Sequence, residues 1–143
     1  MNKLLKKALI EIDFVNRYNA LSNKYPQSNL FDDPDAQKVQ EIISSFGYSV
    51  TFNPATDIYE IMDSSKLIDM SFTAFDGVVE LELNVLIEDS YEGGSFSYLS
   101  KRLKKVTIPP PRFNNYEELA GILKESVFIY ADIRDRLLPL IKE

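Results

Sequence analysis

The chain has 143 residues, of which 45% are hydrophobic and 12% aromatic, enough for one domain with its own core over residues 1–143. Twenty-two acidic against 16 basic residues give a net charge of −6, which repels nucleic-acid phosphates and favours encounter with a basic partner. The chain has no cysteine and no histidine, which excludes disulfides, thiolate or imidazole metal sites, and Ser-His or Cys-His nucleophile pairs.

The opening stretch MNKLLKKALIEIDF carries positive charge like a signal sequence, but Lys6 and Lys7 interrupt its apolar run and Glu11 and Asp13 follow. It reads as a helix of a cytosolic protein, and no run reaches the ~18 to 20 apolar residues of a membrane span. Residues 2 to 24 contain neither Pro nor Gly and predict one continuous helix. Leu4, Leu5, Ala8, Leu9, Ile12 and Val15 share one side of it, while Ile10, Phe14, Tyr18 and Leu21 share the opposite side. Such a helix has two apolar faces, so Ile10, Phe14 and Tyr18 are candidate partner-binding residues unless another element covers them.

A second helix is expected after Asp32-Asp33-Pro34, with an aspartate capping and the proline in the first turn. Val39, Ile42, Ile43 and Phe46 form its apolar face and Gly47 its stop. The acidic run lacks the spacing of a calcium loop, so no metal or other cofactor is called for.

From Tyr48 the period becomes two. Tyr48, Val50 and Phe52 predict a strand that turns through Asn53-Pro54-Ala55-Thr56 into residues 57–62. Asp63-Ser64-Ser65 turns the chain again into residues 67–75. Asp76-Gly77 signals a two-residue hairpin that pairs Phe75 with Val78, Phe72 with Leu81, Met70 with Leu83 and Ile68 with Val85. We expect these four apolar pairs to line the core, and Thr73 with Glu80, Ser71 with Glu82 and Asp69 with Asn84 to make the other face polar and acidic. Glu88 to Ser95 reads as a polar loop with Gly93-Gly94 at its tip. Phe96 to Ile108 is ambiguous between strand and helix, with strand preferred for the β-rich Val106-Thr107-Ile108. In the strand reading, Lys101, Arg102, Lys104 and Lys105 pair across the sheet with Glu80, Glu82 and Glu88.

Pro109-Pro110-Pro111 reads as a stiff spacer. Asn115, with Glu118 three residues on, resembles a capping box for a last helix. Leu119, Ile122, Leu123, Ile129, Tyr130, Ile133 and Leu137 form its apolar arc. Phe128 projects from the charged arc and is a candidate partner anchor, and Pro139 is expected to disturb the end, leaving Leu140 and Ile141 as a tail. The predicted class is α+β: two N-terminal helices, an antiparallel meander of four to five strands and a long C-terminal amphipathic helix.

Glu80 and Glu82, about 7 Å apart on one strand face, satisfy the spacing of a carboxylate-pair hydrolase. Any solvated strand face satisfies it too, and no phosphate loop or other motif accompanies them, so a non-enzyme is expected. Asp69, Glu80 and Glu82 are instead candidate contacts for a basic protein.

In its small size, acidity, lack of cysteine and sheet flanked by terminal helices, and in the IPPPRFNNYEELAGIL entry to the last helix, the chain resembles immunity proteins of bacterial polymorphic or contact-dependent toxin systems. The resemblance implies a cytoplasmic, stoichiometric inhibitor whose acidic surface covers the basic active site of a toxin domain, as a monomer or homodimer, without nucleic acid or membrane. A type III secretion chaperone, dimeric and similarly small and acidic, is the alternative. Those proteins place strands soon after one N-terminal helix, whereas two helices are expected first here.

Overall fold

The computed structural model describes residues 1–26, 31 and 33–141. Among them lie α1 (Lys3–Glu11), α2 (Phe14–Ser22), α3 (Ala36–Ser45), β1 (Thr51–Asn53), β2 (Ile58–Met62), β3 (Ile68–Phe75), β4 (Val78–Ile87), β5 (Ser90–Ser95), α4 (Phe96–Lys104) and α5 (Tyr116–Ile141). The five strands form one antiparallel sheet in the order β1-β2-β3-β4-β5, so the fold is α+β with a meander.

The N-terminal segment is two helices rather than one. Asn2 caps α1, its Oδ1 accepting from the Leu4 and Leu5 amides at 2.8 and 3.2 Å, and the chain breaks at Asp13, whose φ of 59° is left-handed. Aspartate tolerates that conformation better than most residues. The break answers the problem of two apolar faces: a straight helix could turn only one of them inward, whereas the bend buries Leu5, Leu9 and Ile12 together with Phe14, Tyr18 and Leu21. The cap of α3 is Asp35, whose Oδ1 accepts from Gln37 N at 2.8 Å, so Pro34 precedes the cap instead of opening the helix. Asp32, also considered for that role, lies outside the described residues. Val39 and Ile43 are buried, Ile42 and Phe46 are partly so, and Gly47 has a φ of +88°.

The β3–β4 hairpin has the expected register at every pair, with Asp76 and Gly77 at φ 53° and 73° as a type I′ turn requires. One assignment of face is corrected. Side chains alternate, so Phe75 cannot share a face with Phe72, Met70 and Ile68. Ala74 and Val79 complete the core face, while Phe75 is exposed on the other. β1 is shorter than expected: Tyr48 and Val50 are partly buried against the core but only residues 51–53 pair with β2.

The larger corrections follow β4. Glu88 and Asp89, both left-handed, are the turn, and Ser90–Ser95 is a strand paired with residues 82–87 instead of a loop. Gly93 permits this pairing, because a Cβ there would lie 2.1 Å from the Leu83 carbonyl oxygen. The segment read as a strand is α4. Ser95 caps it, its Oγ accepting from Tyr98 N at 3.0 Å, and Lys105 ends it in a left-handed conformation. Phe96 is wholly buried between Phe14 and Tyr18, edge-on to each with centroids 5.1 and 5.5 Å away. The three prolines lead along the start of β4, where Val79 N donates to Pro111 O and Phe113 N to Gly77 O, both at 2.9 Å.

Asn115 caps α5, its Oδ1 accepting from Glu118 N at 2.8 Å; Glu118 reaches back to the Asn114 amide rather than to that of Asn115. Every residue of the expected apolar arc is buried. Pro139 does not end the helix: buried Leu137 and partly buried Leu138 and Ile141 hold the last turn against the core. α5 and α4 cover the sheet face formed by Tyr59, Ile61, Ile68, Met70, Phe72, Leu81, Leu83 and Val85, α3 reaches β1, α1 and α2 pack against α5 and α2 also against α4, and one cluster of buried side chains joins the helices and the sheet. No described helix is long and apolar enough to cross a membrane.

Candidate protein-binding face

Strand alternation puts Ile58, Glu60 and Met62 of β2, Asp69, Ser71, Thr73 and Phe75 of β3, and Glu80, Glu82 and Asn84 of β4 on the face opposite the helices. None of these residues is buried, and no described element packs across them. The sheet is thus one-sided, as antiparallel sheets often are when the second face meets water or a partner.

Three of the sequence-derived candidates, Asp69, Glu80 and Glu82, come together on this face. The expected cross-strand pairing with the basic run does not occur, because residues 101–104 lie in α4 and not in a neighbouring strand. Among the described residues Glu80 and Glu82 have no ion pair. Both line a shallow depression of about 110 Å³ with Ile58, Ser71 and Thr73. Apolar Ile58, Met62 and Phe75, each about two-fifths exposed, stand around the acidic patch.

Glu60, which the sequence did not single out, belongs to the patch. It faces Ser71 across β2–β3, diagonal to Asp69. Partial burial raises the Asp69 carboxyl from 3.8 to about 7, helped by a hydrogen bond to the Glu60 carboxylate, the charge of Glu60 and that of Glu82, and opposed by the Asn84 side chain. Near neutral pH the Asp69 carboxyl is therefore close to half protonated. A cation placed over it would expel the proton and take its place. The alternation Glu60-x-Met62 beside Asp69-x-Ser71 could have revealed Glu60 once the β2–β3 register was known, but that register depends on the turn at residues 63–67.

The other candidates lie elsewhere. Phe14 and Tyr18 are each 1% exposed and belong to the core. Ser97 donates to the Ile108 carbonyl at 2.7 Å, which leaves the Tyr18 hydroxyl to donate to Ser97 Oγ at 3.0 Å, and burial raises its pKa. α4 is the covering element, so Tyr18 is unavailable to a partner and Phe14 keeps only an edge at the hollow between the α1–α2 bend and the end of α4. Ile10 remains exposed on α1, and Phe128 on the solvent side of α5, with Lys124 Nζ 5.9 Å from its ring centroid. No group of three or more acidic side chains that could hold a metal occurs among the described residues.

These features define an α+β domain with one helix-covered and one open, acidic sheet face. No protein-family model, curated protein or solved structure matches the chain at a significant level.

Proposed function

We propose that this chain is a cytoplasmic protein-binding module of the immunity type, which inhibits a basic toxin domain stoichiometrically by laying its open sheet face over the cationic active site. The observation that carries the reading is the open face itself, where Glu80 and Glu82 have no ion pair among the described residues and apolar side chains surround the acids. An acidic patch with an apolar surround supplies both the steering and the desolvated contact that such a complex needs. A surface contact is favoured over small-molecule catalysis, because the 110 Å³ depression beside the glutamates is well below the ~300 to 1,000 Å³ of ordinary ligand pockets. Net charge of −6 makes nucleic acid an unsuitable partner.

The test is affinity capture from the native host, followed by titration of the captured protein's activity with the purified chain. Inhibition complete at one equivalent supports the proposal. Glu80→Lys combined with Glu82→Lys should then weaken binding by about tenfold or more, consistent with the few kcal/mol typical of close interfacial charges, while Phe128→Ala, on the helical side, leaves affinity unchanged. Unchanged affinity in the double variant refutes the assignment of the face. A stable homodimer in light scattering that dissociates in the same variant favours the effector-chaperone reading instead.

A further inference from the structure

The side of α1 that carries Ile10 has the opposite character to the sheet. Ile10 is 59% exposed. It stands beside a hollow of about 260 Å³ between the α1–α2 bend and the end of α4, on an exposed face of α1 that also carries Lys3, Lys6 and Lys7. The walls of the hollow are Leu9, Phe14, Val15 and Leu103, with Lys104 at its rim. Two acids adjoin it and both have partners: Glu11 is held by Arg136 at 2.8 Å and Lys7 at 4.0 Å, and Asp13 Oδ1 accepts from Asn16 at 2.9 Å. Lys3, Lys6 and Lys104 have no ion pair among the described residues. A chain of net charge −6 thus concentrates unpaired cations around an apolar groove.

We infer that this groove docks an acidic peptide segment of a protein partner, one apolar side chain of which enters the hollow beside Ile10 while flanking Asp or Glu side chains meet Lys3, Lys6 and Lys104. Charge complementarity selects an acidic occupant, and the concave shape selects a projecting side chain. A membrane surface fits less well. A helix lying on lipid needs its apolar face outward, whereas the Leu5, Ala8 and Leu9 stripe of α1 is buried and Ile10 alone projects. The groove is separate from the open sheet face, and its occupation does not depend on the inhibitor reading.

A displayed library of random dodecapeptides panned against the full chain tests the inference, with vesicles of mixed phosphatidylcholine and phosphatidylserine assayed in parallel. The expected result is enrichment of peptides with Leu, Ile or Phe flanked by acids, whose affinity falls about tenfold or more in Lys6→Glu/Lys104→Glu and in Ile10→Asp, and also falls with added salt. All three positions are exposed, so circular dichroism should show folded variants. Glu80→Lys/Glu82→Lys should leave peptide affinity unchanged. Enrichment of basic or uncharged peptides, no enrichment, indifference to the groove variants, or binding to vesicles instead of peptides overturns the inference.

Discussion

Replacing Asp69 by Asn tests the raised carboxyl on the sheet face. In the folded chain the Asp69 carboxyl is raised from 3.8 to about 7, so between these values the native state keeps a proton that the unfolded chain has released. Stability therefore falls as pH rises through that window, opposite to the usual behaviour of a salt-bridged aspartate. At 1.36 kcal/mol per pH unit, the window is worth about 4 kcal/mol for a site sealed from water. Asp69 is only half-buried, and solvent screening reduces this to about 1 to 2 kcal/mol. Asn retains the size and a hydrogen-bond donor toward Glu60 but cannot ionise. Urea unfolding of both proteins at pH 4, 5, 6, 7 and 8 should therefore show the wild type losing stability relative to Asp69→Asn by about 1 to 2 kcal/mol across the series, with most of the loss below pH 7. Parallel curves would refute the raised pKa of Asp69.

Phe96→Ala should be severely destabilising, by about 3 to 5 kcal/mol in urea unfolding, because it removes a fully buried ring and two edge-on aromatic contacts; a loss under about 1 kcal/mol would show that α4 does not anchor the α1–α2 bend. Gly93→Ala should cost at least about 2 kcal/mol through the collision with the Leu83 carbonyl and a φ of +124°. Amide exchange should then rise along β5 first, and unchanged protection there would contradict the observed register.

Local chemistry made several elements legible in advance. Asp76-Gly77 specified its turn, and the turn specified the whole β3–β4 register, because a two-residue loop leaves one pairing that matches the alternation. The apolar arc of α5 and its Asn115 cap likewise needed nothing beyond spacing. The acidic face followed from the same register, which is why Asp69, Glu80 and Glu82 were correctly placed together and Glu60, on a strand joined by a less defined turn, was missed.

The exposure of each apolar face was not legible. Phe14 and Tyr18 carry the same pattern as Ile10, yet two are core and one is surface, because the bend at Asp13 and the arrival of Phe96 from 82 residues beyond Phe14 decide what is covered. The state of residues 90–105 was also settled at a distance. A polar, glycine-rich stretch becomes β5 because β4 offers a backbone edge to pair with, and the residues after it become α4 because a helix brings Phe96 and Leu99 together into the core. By itself, then, the sequence determined the periodic elements, the tight turn, the net acidity and the exclusion of histidine and cysteine chemistry, all of which depend on neighbours within a few residues. Only the tertiary structure decided which side of the sheet stays open and which apolar side chains meet water, since burial depends on contacts between segments far apart in the chain.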